Sequence, residues 1–569
     1  MRSERAWYLR LFALLTVLVL IAAACGGDDD DSDAGGGDDT EDTGGDVPTG
    51  GELVVGAEQE PECVAWIKSC SGSSWGYWMM GVNTMPRSFD TAPDGDGWQV
   101  VYNEDLLTGE PEVDDSNPDQ PVITYSINPD AVWSDNTPIT CDDFNFTWDQ
   151  IVNGEDIYDP TGYTDIESVE CPDPNTAVVT FATPFSGWKA LFGGQFGIQP
   201  KHILEGTDIT TEMGNGYDWS GGPWLIDSWT KGTEVVLVPN DNFWGEKPKL
   251  DRVIFKIQAD TAAEFEAFQN REVAVIYPQP QPDVIDQISA GLTDAESSYS
   301  PTTGNLEAVW MNNGVFPLDD VAVRQAIGFA LDRAEIVEQL FGPLGVEAPM
   351  QTLNPPILAE FADTEAWAEY VPDPDRVDEL MTGAGWARNG DGIWAKDGQT
   401  ASMRLRTTAG NARRELTTQI IEQQLREAGF DITLDYQEAG TLFGDLLPAG
   451  DFELALYAQV LTAITVGQCN LFCSKNVPSA ENELSGQNWT RTVVPELDPI
   501  LEELDRTLDE SRQSELGKEA DALQAENMIS LPLDPLPNIL IWNNTVAGDV
   551  SDNPVLGPFH NVNQLGVNA

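Results

Sequence analysis

Few residues in this 569-residue chain are suited to catalysis. The pentapeptide GSSWG (72–76) fits the G-x-S-x-G pattern, in which a nucleophilic serine, here Ser74, stands between a strand and a helix. The preceding CVAWIKSC does not have the pattern of a buried strand. Histidine is the commonest general base in enzymes, and the chain has only two, His202 and His560. We therefore predict no catalytic residue and keep a secreted serine hydrolase using Ser74 as an alternative.

Six of the seven cysteines form an even set that is typical of disulfides in an exported protein. Six cysteines allow many pairings, and proximity along the chain favours joining each one to its nearest neighbour. No histidine lies near them, no C-x-x-C occurs, and the acidic turns at 90–98 and 388–394 miss the calcium-loop spacing. We predict no metal site, no cofactor and the disulfides Cys63–Cys70, Cys141–Cys171 and Cys469–Cys473.

The seventh cysteine, Cys25, follows an apolar run near the start of the chain. Residues 1–10 are basic, and the run LFALLTVLVLI (11–21) is shorter than the roughly 20 residues that a membrane-spanning helix needs. The ending AAAC resembles a bacterial lipobox, in which the cysteine is lipidated, although Ala22 stands where leucine is usual. The sequence therefore predicts a lipoprotein signal peptide over 1–25 and a lipid on Cys25.

The next segment and the overall charge limit the possible partners. Residues 26–50 are almost entirely Gly, Asp, Glu, Ser and Thr, so we expect a disordered acidic tether between lipid and folded body. The net charge of -68 argues against nucleic acid as a partner, because phosphate binding needs clustered Lys and Arg. No later segment is long and apolar enough to span a membrane, so the lipid is the predicted attachment.

Strands alternate with helices along the remaining chain, which favours an α/β architecture. Strand patterns occur at 51–56, 233–240 and 250–257. Residues 319–341 have apolar residues at three- and four-residue steps, which predicts one helix with Asp319 or Asp320 as its N-cap. The stretch 415–437 reads as helix, glycine stop and strand, and 498–533 as two helices followed by a short strand.

Five blocks of the sequence resemble those of the family 5 solute-binding proteins, the dipeptide, oligopeptide and nickel receptors of ABC importers. VWSDNTPITCDDFNFTW (132–148) resembles their W-S-D-G-x-P segment, and SGGPWLIDSW (220–229) begins a block similar to their G-P-Y…W region. WMNNGVFPLDDVAVRQAIGFALDRAEIV (310–337) looks like their M-N…V-R-Q-A-I…D-R block. Two further matches, at 375–386 and 420–434, follow in family order.

This resemblance implies a two-lobed, periplasmic-binding-protein-like fold of type II, in the large peptide-binding subclass. The first lobe would comprise 51–308 with an extra subdomain at about 85–220, and the second would comprise 309–530. Residues 531–569 would return to the first lobe. The chain would cross between the lobes near 306–313 and again near 529–543, and the lobes would close on a ligand like a hinge.

Eight residues near the implied crossings and strand ends are candidate ligand contacts. Large aromatic faces suit peptide side chains and sugar rings equally, and each of these residues could instead serve in packing. The candidates are Trp66, Trp75, Trp310, Asn312, Asn313, Tyr457, Gln459 and Trp489.

The ligand class follows from the resemblance with one departure. Relatives that bind free peptides hold the ligand's amino group with an aspartate after a strand that matches AGDFELALYAQV (449–460), whereas no acid occurs here from Leu454 to Ala480. A buried ammonium without a partner would be costly, so recognition of a free N-terminus is in doubt. Peptide is the leading class, and other solutes remain open.

The resemblance implies a monomeric, non-enzymatic substrate-binding lipoprotein of an ABC importer. It would capture peptides or a related solute and deliver them to ABC permease subunits, while anchored by lipid outside the cytoplasm at the bacterial cell membrane. A sensor or chaperone-like binding protein without a transport role is the second alternative, beside the hydrolase.

Overall fold

The computed structural model describes residues 47–71, 73–94, 97–194, 196–346, 348–461, 468–480, 484 and 486–568. The predicted signal peptide, Cys25 and most of the tether lie outside these residues. Within the described chain, no helix is both long enough and apolar enough to cross a membrane.

The helices of eight or more residues are α1 (Cys141–Asn153), α2 (Thr261–Gln269), α3 (Pro282–Ser289), α4 (Val321–Ala330), α5 (Arg333–Phe341), α6 (Pro374–Gly383), α7 (Ala412–Glu427), α8 (Leu497–Leu504) and α9 (Glu510–Glu526). The strands of the first half are β1 (Glu52–Ala57), β2 (Phe89–Asp94), β3 (Gly97–Tyr102), β4 (Glu112–Asp114), β5 (Val122–Ser126), β6 (Ile166–Asp173), β7 (Thr176–Phe181), β8 (Trp224–Thr230), β9 (Glu234–Pro239), β10 (Arg252–Ile257), β11 (Val275–Ile276) and β12 (Ala295–Ser300). Those of the second half are β13 (Asn305–Met311), β14 (Ala387–Arg388), β15 (Trp394–Lys396), β16 (Gln399–Thr400), β17 (Ser402–Thr408), β18 (Asp431–Gln437), β19 (Leu454–Val460), β20 (Ser530–Asp534), β21 (Asn538–Asn543), β22 (Val546–Ala547) and β23 (Gly566–Val567).

Two large mixed sheets organise the chain. The first has the order β12-β21-β11-β1-β10-β9-β8, with β1 parallel to both β10 and β11. The second has the order β18-β17-β19-β13-β20, with β17 parallel to β18 and β19. A four-stranded antiparallel sheet, β4-β5-β7-β6, lies within residues 112–181. We call the part built on the seven-stranded and four-stranded sheets the first lobe and the part built on the five-stranded sheet the second lobe; the predicted two-lobed α/β fold is confirmed.

Each lobe has its own apolar core. Trp66, Trp133 and Trp224 are fully buried in the first. Ile327 and Leu454 are fully buried in the second, which continues onto α2 and α3. The structure contains the disulfides Cys63–Cys70, Cys141–Cys171 and Cys469–Cys473.

The region predicted as one helix over 319–341 is two helices, so that prediction was wrong. Asp320 caps α4 through Ala322 N, but α4 ends before Leu331, whose φ of -97° and ψ of 126° are extended. Asp332 then caps α5 by accepting a hydrogen bond from Glu335 N. An aspartate inside a helical pattern favours the backbone bonds of a new N-terminus over continuation of the helix.

Helix α2 brings a buried carboxyl group against the first strand. Glu264 is 0% exposed, and neither of its side-chain oxygens has a hydrogen-bond partner among the described residues. A Cβ at Gly56 of β1 would lie 2.8 Å from Glu264 Oε1, so glycine is required for this approach. Burial, with a smaller contribution from the charge of Glu58, raises the pKa of Glu264 to about 9. Glu264 is therefore protonated at neutral pH.

This protonation predicts a specific pH dependence. The unfolded chain loses the Glu264 proton near pH 4.5 and the folded chain near pH 9, so the stability contributed by this group falls as pH rises between these values. Glutamine does not titrate, so Glu264→Gln should not show this loss of stability. Across this window, the free energy of unfolding of the variant should rise relative to that of the unmodified protein by up to about 1.4 kcal/mol per pH unit. Urea denaturation at pH 5, 7 and 9 measures this. Glu266→Gln, exposed on the same helix, is the control; parallel curves for the two variants would contradict the assignment.

Candidate functional site

Two short segments join the lobes, and they lie side by side. The chain leaves β12 at Ser300 and enters β13 at Asn305, and it returns between the end of β20 and the start of β21. Thr303 Oγ1 donates to Pro535 O at 2.9 Å, which ties the outgoing segment 301–304 to the returning segment 535–537. The limits predicted from the sequence were 308/309 for the first crossing and 530/531 for the return. In the structure, β13 and β20 pair with each other in the second sheet, so the chain changes sheets before β13 and after β20.

A buried ion cluster stands on the strands beyond this junction. Glu307 of β13 is fully buried, and it pairs with Arg413 Nη2 at 3.1 Å and with Arg414 Nε at 2.7 Å. Burial alone would raise the pKa of Glu307, but the two guanidinium groups outweigh it and hold the pKa below its ordinary value. Glu307 is therefore an ionised carboxylate at the point where the lobes join.

A second acid completes the cluster. Asp534 of β20 lies opposite Glu307 in the strand register and is fully buried. Burial raises the pKa of Asp534, and the charge of Glu307 adds to this against the opposing charge of Arg413. Two guanidinium groups thus face one ionised carboxylate and a second carboxyl group whose pKa is raised by burial.

Arg413 has donors to spare, whereas Arg414 does not. Arg414 directs Nε and Nη2 to Glu307 and Nη1 to Thr408 Oγ1 at 3.0 Å. Arg413 is 3% exposed, and among the described residues nothing accepts a hydrogen bond from its Nε or Nη1. Its backbone N donates to Gln281 Oε1 of the first lobe at 3.3 Å, so Arg413 lies where the lobes meet. The Nε–H and Nη1–H groups point to opposite sides of the guanidinium, so each is free to donate to a separate acceptor, and a charged oxygen is the strongest acceptor for either.

Four of the predicted contact residues lie together near β13 and β19. Trp310 stacks on Tyr457 with ring centroids 5.2 Å apart and donates to Tyr457 O at 2.8 Å. Trp489 is 6.0 Å from the ring of Tyr457. Asn313 Nδ2 donates to the carbonyl of Thr490, the next residue after Trp489, at 3.2 Å. Ligand contact by these residues stays a prediction.

The other four predicted contacts are dispersed. Asn312 is fully buried and donates to the carbonyls of Gly450 and Phe452. Gln459 lies near the far end of β19, half-buried. Trp66 donates to Tyr217 Oη at 2.8 Å and Trp75 is 2% exposed, both inside the core of the first lobe. Contact by these four also stays a prediction.

Sequence reasoning missed a direct contact between the lobes. Ile357, Leu358 and Leu461 of the second lobe pack with Trp98 and Val100 of the β2–β3 hairpin. These five side chains, which we call the apolar latch, come from three distant parts of the chain. Nothing in the sequence indicated this contact, because apolar residues of these types occur throughout the core.

Polar bonds and a cavity adjoin the apolar latch. Ser186 N donates to Asp505 O at 2.9 Å, and Lys189 Nζ lies 3.0 Å from Glu510 Oε1. A cavity of about 640 Å³ opens between the lobes, with Trp98, Lys189 and Ile357 in its walls. The lobes therefore touch beside an open cavity of ligand size.

The alternative catalytic serine lies in unsuitable surroundings. Ser74 is exposed and begins the helical turn Ser74–Gly76, which follows the turn Ser69–Ser71 and not a strand. His202 Nε2 lies 3.1 Å from Asp135, and His560 Nδ1 donates to Gly557 O. Within the described residues, no group of three or more His, Cys, Asp or Glu side chains is placed to hold a metal ion.

Comparison with known proteins decides the family. The profile of "Bacterial extracellular solute-binding proteins, family 5 Middle" matches residues 103–464, more than half of the chain. The chain belongs to family 5 of the bacterial extracellular solute-binding proteins. "Oligopeptide-binding protein OppA" of Mycobacterium tuberculosis is 25% identical over 476 residues, which cover 82% of this chain and 76% of that protein.

Solved structures show the same fold for this family 5 protein. "Periplasmic EDTA-binding protein EppA" matches with a TM-score of 0.80 at 24% identity, covering 92% of this chain and 98% of that one. The oligopeptide-binding protein AppA from Bacillus subtilis, in complex with a nonapeptide, matches with a TM-score of 0.70 at 20% identity, covering 92% and 100%. The predicted periplasmic-binding-protein-like fold is confirmed, and the family supports a solute-binding role outside the cytoplasm.

The apolar latch predicts how this family 5 protein holds its lobes together. Trp98→Ala should destabilise the closed arrangement by about 1–2 kcal/mol, because a partly buried indole is lost from the contact. Lys189→Gln should cost under about 1 kcal/mol, because its partner Glu510 is 64% exposed. Small-angle X-ray scattering of the ligand-free variants measures the outcome: the radius of gyration should increase clearly in Trp98→Ala and little in Lys189→Gln. Equal radii for Trp98→Ala and the unmodified protein would contradict a closing role.

Proposed function

We propose that this protein is the substrate-binding lipoprotein of an ABC importer, capturing peptides between its two lobes and delivering them to a membrane permease. No bond of the ligand is made or broken. Ligand that touches both lobes favours the closed form by its differential affinity, and closure presents the loaded surface to the permease.

The observation that carries the peptide class is the pair of unused N–H groups on Arg413. A buried guanidinium with free donors costs free energy unless a ligand supplies an acceptor, and a carboxylate is an acceptor that also carries the complementary charge. Every unblocked peptide carries a carboxylate at its C-terminus. The names of OppA and of the nonapeptide complex of AppA support peptides, while EppA keeps other carboxylate-bearing solutes such as EDTA within reach of the same chemistry.

Recognition should concern the C-terminal end of the ligand and not its amino group. No acid occurs between Leu454 and Ala480, the stretch in which peptide-binding relatives carry the aspartate that holds the ligand's ammonium. Part of this stretch, 462–467, lies outside the described residues, but its composition alone excludes a carboxylate there. A blocked N-terminus should therefore bind as well as a free one.

The attachment to the membrane is inferred from the start of the chain. The basic start, the short apolar run and AAAC ending at Cys25 support lipidation, and the acidic segment 26–50 supports a spacer between the lipid and the folded body. The division into two lobes with a subdomain at about 85–220 belongs to the same proposal, with the crossings at 301–304 and 535–537 in place of the predicted limits at 308/309 and 530/531.

Two matched arginine variants test the ligand class. Arg413→Gln and Arg414→Gln each leave Glu307 with one guanidinium partner, but only the first removes the spare donors. The proteins are incubated with pentapeptide libraries that carry either free or amidated C-termini, and retained peptides are quantified by mass spectrometry. The unmodified protein and Arg414→Gln should favour free C-termini, and Arg413→Gln should lose this preference by roughly tenfold or more, equivalent to about 1.4 kcal/mol. An equal preference in both variants would exclude Arg413 as the carboxylate partner.

Phase partitioning tests the lipid anchor. Full-length protein expressed in a bacterial host should enter the detergent phase of a Triton X-114 extract, because acyl chains bind detergent micelles. Cys25→Ser should shift the protein to the aqueous phase, and Ser32→Ala in the tether should not. Detergent partitioning of Cys25→Ser would show that the apolar run, and not a lipid, holds the protein.

A further inference from the structure

The first lobe contains a second cavity of about 640 Å³, apart from the cavity between the lobes. Four parts of the chain surround it: the β2–β3 hairpin, residues 221–223 just before β8, the end of β12 and the C-terminal segment 549–564. None of the eight predicted contact residues and none of the four charged residues at the junction lines it. Its volume falls within the roughly 300–1,000 Å³ that is usual for small-molecule sites.

Two buried side chains in its wall lack partners for their oxygen atoms. Asp552 and Asn561 are each 8% exposed. Asn538 donates to Asp552 Oδ2 at 2.8 Å, and Asn561 Nδ2 donates to Asp549 O at 2.7 Å. Among the described residues, nothing donates to Asn561 Oδ1, and no donor lies within hydrogen-bond distance of Asp552 Oδ1, although the hydroxyl of Tyr277 is near enough to lower the pKa of Asp552. Both orphaned atoms are acceptors, so an occupant of the cavity must bring donors.

The charged side chains that line the cavity determine whether a neutral or a positively charged donor fits it better. Arg87 pairs with Asp90 and donates Nη1 to Val82 O at 2.7 Å, so these two charges cancel. His560 also lines the cavity, and burial lowers its pKa to about 4, so it carries no charge at neutral pH. Asp105 is also attracted by Arg87, which lowers its pKa against the larger effect of burial, whereas Asp549 and Asp552 in the wall form no salt bridge among the described residues.

Aromatic side chains complete the cavity. Trp98, Trp244 and Tyr299 line it, and each is half-buried, so part of each ring is open to an occupant. A cation over an aromatic face is attracted by the ring quadrupole, most strongly over tryptophan. A neutral polyol would satisfy the orphaned acceptors but would leave the charges of Asp549 and Asp552 uncompensated.

We propose that this cavity is a binding site for an organic ammonium compound, separate from the peptide site between the lobes. The ammonium group donates to Asp552 Oδ1 and Asn561 Oδ1, Asp549 adds charge at the mouth, and the hydrocarbon part lies against the aromatic rings. One wall of the cavity reaches Pro301, where the first segment joining the lobes begins. The site does not depend on the proposed transport function.

Isothermal titration calorimetry on the full chain in about 150 mM NaCl tests this proposal, with cadaverine, spermidine and choline as probes. We expect saturable binding of one equivalent of at least one amine, weakened about tenfold or more by Asp552→Asn and about threefold by Asp549→Asn. Asp549 is exposed, so its variant keeps the test valid if Asp552→Asn folds poorly. Asp375→Asn removes the same charge from an exposed position on α6 of the second lobe, and it should leave the affinity unchanged.

The control matters because a net charge of -68 attracts any cation without a specific site. Three results would overturn the proposal. The first is no saturable binding of any of the three amines up to about 10 mM. The second is amine binding that Asp549→Asn and Asp552→Asn weaken no more than Asp375→Asn does. The third is binding of mannose, tested in the same way, in place of the amines, which would assign the cavity to a polyol. Failure of the peptide experiment with the Arg413 variants would leave this result unaffected.

Discussion

One buried carboxylate, Glu307, governs the junction between the lobes. It is held by Arg413 and Arg414, which begin α7 more than 100 residues further along the chain. Taking these charges out of water is costly, and the cost is offset only while the three groups keep their geometry. The cluster therefore ties β13, which begins at the junction, to the start of α7.

The remaining contacts between the lobes are apolar and polar. The core of the second lobe continues onto α2, α3 and β21 of the first. The apolar latch adjoins the junction, because Ile357 N donates to Thr303 O at 3.1 Å and Leu461 N donates to Gly304 O at 2.8 Å. In the proposed hinge motion, the bond between Thr303 and Pro535 would stay intact at the pivot.

Local signals in the sequence were sufficient for much of the fold. The helix, glycine stop and strand predicted at 415–437 appear as α7, Gly429 at a φ of +92°, and β18, because periodicity and a left-handed stop are properties of neighbouring residues. Asn136, within the block 132–148, has a φ of +68°, a conformation that asparagine tolerates better than most residues. The single helix predicted over 319–341 was wrong because Asp332 is compatible both with the exposed face of a continuous helix and with the N-cap of a new one.

The candidate site was less accessible from the sequence, because its groups meet across long separations. Arg413 and Arg414 stand in a helix start that looks solvated, and nothing near them in the sequence indicates Glu307 as their partner. Trp98 likewise shows no sign of its contact with Ile357. The resemblance to family 5 supplied the two lobes, but not which donors and acceptors stay unpaired where they meet.

The central claim is that the protein holds peptides through a carboxylate between its lobes. Native mass spectrometry of the protein purified from its own membranes, followed by denaturation and identification of the released molecules, tests it most directly. The account predicts a ladder of peptides with free C-termini and no requirement for a free N-terminus. Release of a single molecule without a carboxylate, or of peptides that are blocked at the C-terminus, would contradict it.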